Sequence, residues 1–439
     1  MRTSHAPSTI GAPREQSRNA TTGEVLENLG MIEIVRDITR TDGLHLLHWD
    51  GRKASVVPHL ELNGQIFQAA AIDPTVLRAM PLPTQIKPCG SVRQLLDDIS
   101  RLLTVFAAMD EHFARVVGRF MLSSWVIEAL PAAPSLRVVG PETIARGQLL
   151  DILAGLCRHA LRLTGLDVAG ILSLPLEMHP TLVIRQSELK PRLQRLLEST
   201  RRPREYIPHG GRLVEFHSAV ATFSEFGSPD SEGFVGIEIP SAPPHRKEEI
   251  LGKEPLRRIT EEFQNKLLWY RCEHYANVCD SKFDVPQFLC PTRDFARSLG
   301  ACTPGDADLQ AELVHMLEAL ALQVRSARWT DLVVVVIEAL LGFVHEEQKI
   351  VYVGDIAKAA EAILAGRGEM RDVTAREVGE KLRDLRIKTE ERDCKGFRLL
   401  LTQSIARHVH ELARDYDAPA IEQPIAGCPY CTSLAGSTD

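Results

Sequence analysis

Residues 137–153 (Arg-Val-Val-Gly-Pro-Glu-Thr-Ile-Ala-Arg-Gly-Gln-Leu-Leu-Asp-Ile-Leu) decide the fold of this chain. A short apolar run ends at Gly140-Pro141, and an amphipathic run follows, with Leu149, Leu150, Ile152 and Leu153 as its apolar residues. The sequence GxxxxGK[ST] occupies such a strand–loop–helix setting when it holds a triphosphate on the N–H groups of a helix N-terminus. The stretch therefore predicts a strand-to-helix connection of the phosphate-binding type.

The segment keeps the spacing of that motif, but other residues stand at the positions whose side chains bind phosphate and Mg²⁺. Ala145 stands for the second glycine, Arg146 for the lysine, and Gly147 for the hydroxyl residue that would hold Mg²⁺. Arginine can bind phosphate through two N–H groups, so nucleotide binding without hydrolysis stays open. A turn that binds no ligand is the alternative. The residues predicted to touch a nucleotide here are Gly140, Ala145, Arg146, Gly147 and Gln148.

A second strand-like segment, residues 180–188, supports the loss of catalysis. In a nucleotide hydrolase such a strand ends in an acidic residue that helps to hold Mg²⁺, near a residue that orients the attacking water. Here Arg185 and Gln186 stand in those places, and they complete the predicted nucleotide-site residues. A cation where Mg²⁺ should lie argues against metal-dependent hydrolysis, and Glu188 is a poor substitute beyond the strand end.

The order of elements between Phe106 and Arg271 resembles the P-loop ATPase domain of phage- and mobile-element-encoded helicase/primase-like proteins. Residues 125–134 (Trp-Val-Ile-Glu-Ala-Leu-Pro-Ala-Ala-Pro) match the approach to the phosphate loop in that family, and residues 210–216 (Gly-Gly-Arg-Leu-Val-Glu-Phe) match a later strand. The segment after it, residues 227–240, has no arginine where the family carries one. The resemblance implies a degenerate ATPase domain.

Size and composition are those of an ordinary globular protein. The chain has 439 residues, of which 44% are hydrophobic and 25% charged, with a formal net charge of −7. This charge disfavours a uniformly basic surface that coats nucleic acid. The longest strongly apolar run, residues 332–337, is far short of a membrane span, and the polar N-terminus lacks the apolar core of a signal peptide. We expect a cytoplasmic protein with no membrane partner.

The first 88 residues predict a polar tail followed by a small β domain. Residues 44–69 alternate strand-like runs with Asp50-Gly51 and Asn63-Gly64, which are strong hairpin signals because both turn positions need positive φ. A three-stranded meander is expected. Ser91 is a plausible N-cap for a helix that opens the next domain.

Residues 331–416 predict a helix, a strand, two further helices, a hairpin with a charged tip and a last helix. Thr374-Ala-Arg-Glu377 is a capping box that opens the third helix. This order is similar to the C-terminal winged-helix domain of the ATPase family named above. In a winged helix the third helix enters the DNA major groove, and the wing touches the backbone or minor groove.

Double-stranded DNA is one predicted partner of this domain, and another protein is the alternative. Residues 371–414 carry eleven Lys/Arg and eight Asp/Glu, a weak positive bias. Glu380, Asp384, Glu390 and Glu391 are interleaved and would repel phosphates. The predicted DNA-binding residues are Arg376, Lys381 and Arg383 on the third helix, and Lys388, Arg392, Lys395 and Arg398 on the wing.

Nine scattered cysteines indicate reduced thiols rather than a disulfide framework. Cys428-Pro-Tyr-Cys431 matches the redox motif of glutaredoxins, but a thioredoxin-like βαβ unit does not surround it. Half of a metal site, with His408 and His410 as distant partners, is a second interpretation, although His-x-His does not match the usual finger spacing. Surface cysteines in a tail are the favoured interpretation, and no metal or cofactor is expected.

The sequence thus predicts a multidomain protein of mixed α/β and α+β class. Three hypotheses remain open: an inactive, ATPase-derived DNA-associated or regulatory protein, a weak nucleotide-binding ATPase/helicase-like enzyme, and a protein–protein adaptor. The predicted segments are a disordered tail (1–24), a small β-rich domain (25–88), a degenerate P-loop NTPase-like parallel α/β domain (89–270), a helical segment (271–330), a winged-helix domain (331–416) and a flexible C-terminal tail with the CPYC sequence (417–439).

Overall fold

The computed structural model is mixed α/β and divides into two compact units, Met1–Glu318 and Ala319–Asp439, each considered by itself. The division into smaller domains stays a prediction. The structure describes residues 18–26, 30–39, 43–139, 142–186, 189–199, 201–209, 212–224, 236–238, 250–288, 292–390, 396–416, 418 and 428–432.

The first unit begins with two small sheets instead of the expected single meander. An antiparallel sheet has the order β2-β3-β4-β5, and a mixed sheet has the order β1-β7-β6. Ile32, Leu46, Leu60 and Phe67 pack together between them. Part of the predicted disordered tail (1–24) also differs, since residues 18–21 form β1, which pairs in parallel with β7, while residues 1–17 lie outside the described residues. The strands are β1 (Arg18–Thr21), β2 (Glu24–Leu26), β3 (Gly30–Arg36), β4 (Leu44–Trp49), β5 (Ala54–Val57), β6 (His59–Leu62) and β7 (Gln65–Ala69).

Three helices follow: α1 (Pro74–Ala79), α2 (Val92–Phe106) and α3 (Glu111–Trp125). The predicted cap is confirmed, because Ser91 Oγ accepts a hydrogen bond from the Gln94 N–H at 3.1 Å. α3 is buried along most of its length. At its end the Trp125 indole donates to the Leu156 carbonyl at 2.8 Å, which anchors the approach to the parallel sheet.

The parallel sheet is the centre of the first unit. Its strands are β8 (Ser135–Val139), β9 (Leu161–Thr164), β10 (Leu182–Arg185), β13 (Val220–Ser224) and β14 (Gly236–Glu238), in the order β14-β8-β13-β10-β9. All four pairings are parallel. The chain moves from β8 to the far edge and returns, so that β13 lies between β8 and β10. The helices between these strands are α4 (Ile144–Leu156), α5 (Val168–Leu172) and α6 (Pro191–Ser199).

The segment that resembles a family strand lies outside that sheet. β11 (Tyr206–His209) and β12 (Arg212–Glu215) pair with each other as an antiparallel hairpin. The strand that enters the sheet is the next one, β13. Leu213 in the hairpin is 71% exposed, so its apolar side chain does not contribute to the core.

Helices complete the first unit: α7 (Lys253–Cys279), α8 (Thr292–Ala301) and α9 (Ala307–Trp329), the last of which runs into the second unit. α7 carries Arg271, which belongs to a buried group of four charges. We call Glu33, Glu128, Arg158 and Arg271 the charge quartet. Glu33, Arg158 and Arg271 are each at most 2% exposed.

The quartet joins residues from distant parts of the sequence. The Arg271 Nε atom lies 2.6 Å from Glu33 Oε1, and its Nη1 lies 2.8 Å from Glu128 Oε2. Arg158 contacts the same two carboxylates, at 3.1 Å and 2.8 Å. Burial raises the pKa of Glu33, but the charges of Arg158 and Arg271 outweigh it and leave this pKa below its ordinary value. The pKa of Glu128 lies well below its ordinary value for the same reasons.

The second unit follows the predicted order of elements: α10 (Leu332–His345), β15 (Ile350–Tyr352), α11 (Val353–Gly366), α12 (Ala375–Asp384), β16 (Arg398–Leu400), α13 (Gln403–Asp415) and α14 (Pro429–Thr432). β15 and β16 are antiparallel. The core combines Val335, Ile356, Val378, Leu399 and Val409, one from each of five elements. In the predicted capping box, Thr374 Oγ1 accepts from the Glu377 N–H, and the Glu377 carboxylate accepts from the Thr374 N–H.

Within the described residues, no helix combines the length and the apolar character needed to cross a membrane.

Candidate nucleotide site and nucleic-acid surface

The carboxyl edge of the parallel sheet brings the two predicted nucleotide segments together. Ser224 is in register with Val139, and Arg185 is in register with Phe223, so the ends of β8, β13 and β10 lie side by side. Ligands of open parallel sheets bind outside this edge, where the strand order reverses. The strand–loop–helix prediction is confirmed for β8 and α4. Gly140 lies outside the described residues.

The N-terminus of α4 is capped by its own chain. Thr143 Oγ1 accepts a hydrogen bond from the Arg146 N–H at 3.2 Å, and the Thr143 carbonyl accepts from the Gly147 N–H at 3.0 Å. Ala145 is buried, and Arg146 is half-buried with its guanidinium carbon 5.9 Å from the centre of the Phe223 ring. The Arg146 side chain therefore packs along the sheet edge, where a phosphate would meet it.

Gln148 is held by backbone groups on both sides. Its Nε2 donates to the Phe106 carbonyl at 2.6 Å, and its Oε1 accepts from the Leu251 N–H. The side chain is buried, so it joins the end of α2 to the segment before α7. These contacts are structural, and they compete with the predicted role as a nucleotide ligand.

Arg185 forms an ion pair with Glu142, which lies within the predicted phosphate loop. Both side chains are about half exposed. The Gln186 N–H donates to the Phe223 carbonyl at 3.3 Å, which extends the β10–β13 ladder. Glu188 lies outside the described residues. A guanidinium and the carboxylate that neutralises it thus lie together at the carboxyl end of β10.

A basic region around the β11–β12 hairpin was not singled out from the sequence. Residues 190–215 carry seven Lys/Arg and three Asp/Glu, within a chain of net charge −7. Arg192, Arg202 and Arg204 are exposed. The signal is present in the composition, but the match of residues 210–216 to a family strand does not predict a basic hairpin.

The predicted DNA-binding residues of α12 are on its outer side. Val378 and Leu382 are buried, whereas Arg376 and Arg383 are exposed and Lys381 is half-buried. Arg376 forms an ion pair with Glu380 at 3.2 Å, one turn further along. The outer side of α12 is therefore partly neutralised.

The predicted wing is described only at its base. The Glu390 N–H donates to the Arg398 carbonyl at 2.8 Å, and the Arg398 side chain contacts the Glu390 carboxylate at 2.7 Å. Lys388 is exposed, while Arg392 and Lys395 at the tip lie outside the described residues. The Glu390 contacts show that residues 390 and 398 lie opposite each other, as a hairpin requires.

The CPYC sequence lies beside two histidines, one of which the sequence did not indicate. His410 belongs to the cluster, but His408 does not, because its Nε2 hydrogen-bonds to the Leu385 carbonyl at 3.1 Å. The other imidazole is His345, at the end of α10. By contrast, burial raises the pKa of Cys157 and Cys302 to about 12, so these thiols stay protonated and unreactive.

Comparison with known proteins gives structural likenesses alone. No family model and no curated protein matches the sequence. The chain is similar to the C-terminal region of NrS-1 (13% identity, 84% of this chain and 96% of that one, TM-score 0.37). It is also similar to an MCM homolog from Methanopyrus kandleri (13% identity, 66% of this chain and 77% of that one, TM-score 0.32). A third similar structure is the JCV helicase (12% identity, 55% of this chain and 64% of that one, TM-score 0.26). With TM-scores below 0.5, these likenesses assign no activity to this chain.

Proposed function

We propose that this chain is a non-hydrolysing, P-loop-derived protein that associates with double-stranded DNA through a winged-helix domain in its second unit. The Glu142–Arg185 ion pair at the carboxyl edge of the parallel sheet carries the first part of this proposal. Phosphoryl transfer depends on charge stabilisation by a metal and a phosphate-binding cation. Here one cation is already neutralised by a carboxylate of the loop itself.

Hydrolysis of ATP in the presence of Mg²⁺ should not exceed the uncatalysed background. The reason is the joint replacement of the phosphate lysine, the Mg²⁺ hydroxyl and the acidic strand end by Arg146, Gly147 and Arg185. Phosphate release from the purified chain is the measurement. Turnover near ~1 s⁻¹, the lower end of ordinary phosphoryl transfer, would contradict the proposal if Arg146→Ala abolished it and Arg162→Ala did not. Arg162 is a matched control because it is an exposed arginine near the amino end of β9, away from the carboxyl edge of the sheet, and it is paired with Asp151.

The DNA part of the proposal is supported by the order of elements in the second unit and by the outer side of α12. α12 packs against α10 and α11 through its buried apolar side, and the same unit contains the two-stranded sheet of β15 and β16. A helix held in this way can insert its outer side into the major groove of DNA. Arg376, Lys381 and Arg383 project from that side, and each phosphate they neutralise would release counterions.

The affinity for double-stranded DNA should fall as salt rises, and changing Arg376, Lys381 and Arg383 together to Ala should flatten this dependence. Each phosphate contact contributes about −0.9 to the slope of log affinity against log salt, so up to about 2.7 should be lost. Fluorescence anisotropy across a salt series measures this slope.

A matched control has the same charge change on α7. Lys253, Arg257 and Arg258 are exposed, and they are also one lysine and two arginines. Their joint change to Ala should leave the slope within experimental error. If both triple variants lose the same slope, binding is a general effect of charge and α12 is not the DNA-binding element.

A protein–protein adaptor is the second candidate. It is favoured by the ion pairs Arg376–Glu380 and Arg398–Glu390, which reduce the positive charge offered to phosphates, and by the half-exposed Phe397. Absence of DNA binding at low salt would favour this candidate over the first.

A further inference from the structure

Four metal-binding side chains of the second unit converge on one point. They are His345 at the end of α10, His410 in α13, and Cys428 and Cys431 at α14. One ligand atom of each lies within 4.8 Å of every other. The Nε2 atoms of the two histidines are 3.2 Å apart. The Cys431 sulfur is 3.4 Å from His345 Nε2 and 3.5 Å from His410 Nε2, and the Cys428 sulfur is 3.4 Å from His410 Nε2.

These separations are those of a tetrahedral zinc site. Zinc binds histidine nitrogen at about 2.0 to 2.1 Å and cysteine sulfur at about 2.3 Å. At tetrahedral angles such bonds place two nitrogens about 3.3 Å apart, and a nitrogen and a sulfur about 3.6 Å apart. The one nitrogen–nitrogen distance and the three nitrogen–sulfur distances lie within about 0.2 Å of these values.

The protonation of His410 also points to a cation. Its Nδ1 lies 2.7 Å from the Ala406 carbonyl, which can only accept, so Nδ1 carries the hydrogen and Nε2 carries the lone pair in the neutral ring. A hydrogen bond of this kind orients most metal-binding histidines. The single lone pair of His410 Nε2 meets three other ligand atoms within 3.5 Å. One lone pair cannot accept hydrogen bonds from all three, whereas one cation is bound by all four groups.

The set of ligands indicates the metal and its role. Two cysteines and two histidines in tetrahedral arrangement favour zinc, and four protein ligands leave no position for water or substrate. The site is therefore structural. The Tyr430 ring lies beside the His410 ring, with centres 5.4 Å apart, and supplies part of the apolar surroundings. We propose that His345, His410, Cys428 and Cys431 bind one zinc ion that fastens the CPYC segment to α10 and α13.

Metal analysis of the purified full-length chain tests this proposal. After incubation with zinc chloride and removal of loose metal, we expect about one zinc per chain, and below about a tenth in the Cys428→Ser/Cys431→Ser double variant. Replacement of zinc by Co²⁺ should give the intense visible absorption of a tetrahedral site and a thiolate-to-metal charge-transfer band.

Two control variants keep the test specific. Cys279→Ser changes an exposed cysteine of the first unit, and His408→Ala changes the histidine that faces the Leu385 carbonyl. Both should retain about one zinc per chain. If the double variant does not fold, His345→Ala provides a second test, because it removes one of the two nitrogen ligands. It should lower the zinc content and shift the visible absorption bands of bound Co²⁺. Zinc absent from the wild-type chain, zinc content unchanged in the ligand variants, or a Co²⁺ spectrum without a thiolate band would overturn the proposal.

Discussion

Replacing Arg271 with methionine should lower the free energy of unfolding of the first unit by about 3 to 5 kcal/mol, the usual cost of removing one partner from a buried ion pair. Methionine keeps the volume roughly constant, so the loss reflects charge rather than a cavity. Arg158 would then face both Glu33 and Glu128 alone, which leaves an uncompensated negative charge in the core. Denaturant unfolding of the full chain, followed by a signal from the first unit, measures the change.

Arg257→Met is the matched control, because Arg257 is on the same helix but exposed and paired with Glu254. Exposed pairs contribute about 0 to 1 kcal/mol. Adding Glu33→Gln to Arg271→Met should cost less than the sum of the two single changes, since it restores the balance of charge. Equal losses for Arg271→Met and Arg257→Met would show that the quartet does not stabilise the fold.

The acid sensitivity of the first unit supplies an independent check. Because the pKa values of Glu33 and Glu128 are lowered in the folded state, their contribution to stability is fully present above the ordinary carboxyl pKa. It is lost as the pH falls through the lowered values. The wild-type chain should therefore lose stability as the pH falls below about 4.5, and Glu33→Gln should lose less over the same interval.

Gly30→Ala should destabilise the first unit by about 3 to 5 kcal/mol, which combines two costs. Gly30 has φ of +88°, and a side chain in the left-handed region costs roughly 1 to 2 kcal/mol. In addition, an added Cβ would lie 1.7 Å from the Trp49 carbonyl oxygen, on the neighbouring strand β4. That oxygen is backbone and cannot turn aside, so we expect a clash near the upper end of the usual overpacking cost of about 1 to 3 kcal/mol.

Gly51→Ala separates these two costs. Gly51 has nearly the same backbone conformation, with φ of +91°, but an added Cβ would meet nothing within 4 Å. Its substitution should therefore show the conformational cost alone. Thermal unfolding of both variants beside the wild type gives the comparison. Equal losses of stability at the two positions would mean that β3 and β4 can move apart around the added methyl group at residue 30 without a measurable loss of free energy.

Local elements could be predicted from the sequence because their causes are local. Ser91 and the pair Thr374 and Glu377 cap helices through hydrogen bonds that span three residues. Asp50-Gly51 marks a turn because Asp50 Oδ1 accepts from the next N–H groups while Gly51 adopts positive φ. Such patterns are visible in any short window of the sequence.

Pairing between distant segments could not be predicted in the same way. β1 joins β7 across about fifty residues, and the β11–β12 hairpin forms its own ladder beside the main sheet. Glu33 lies between the buried Ile32 and Ile34 in β3, and its two arginine partners explain why a buried carboxylate is tolerated there. Nothing near Glu33 in the sequence indicates Arg271.

The same limit applies to the candidate sites. The candidate residues Arg146 and Arg185 could be selected from motif spacing, but the Glu142–Arg185 contact depends on the order of strands in the sheet. His345 and His410 are separated by 65 positions and come together only when α10 packs on α13. The sequence therefore indicated Cys428, Cys431 and His410 together with His408, which is not in the cluster, and it did not indicate His345.

The contact between Glu33 and Arg271 spans 238 positions of the chain, and this separation has a consequence for biosynthesis. A ribosome that adds about 5 to 20 residues per second needs roughly 10 to 50 s to make the intervening polypeptide. During that interval the strand that carries Glu33 is already outside the ribosome, but Arg271, one of its two arginine partners, does not yet exist. We therefore expect the packing around Glu33 to be completed only after α7 has been synthesised, and the charge of Glu33 to depend on Arg158 alone until then.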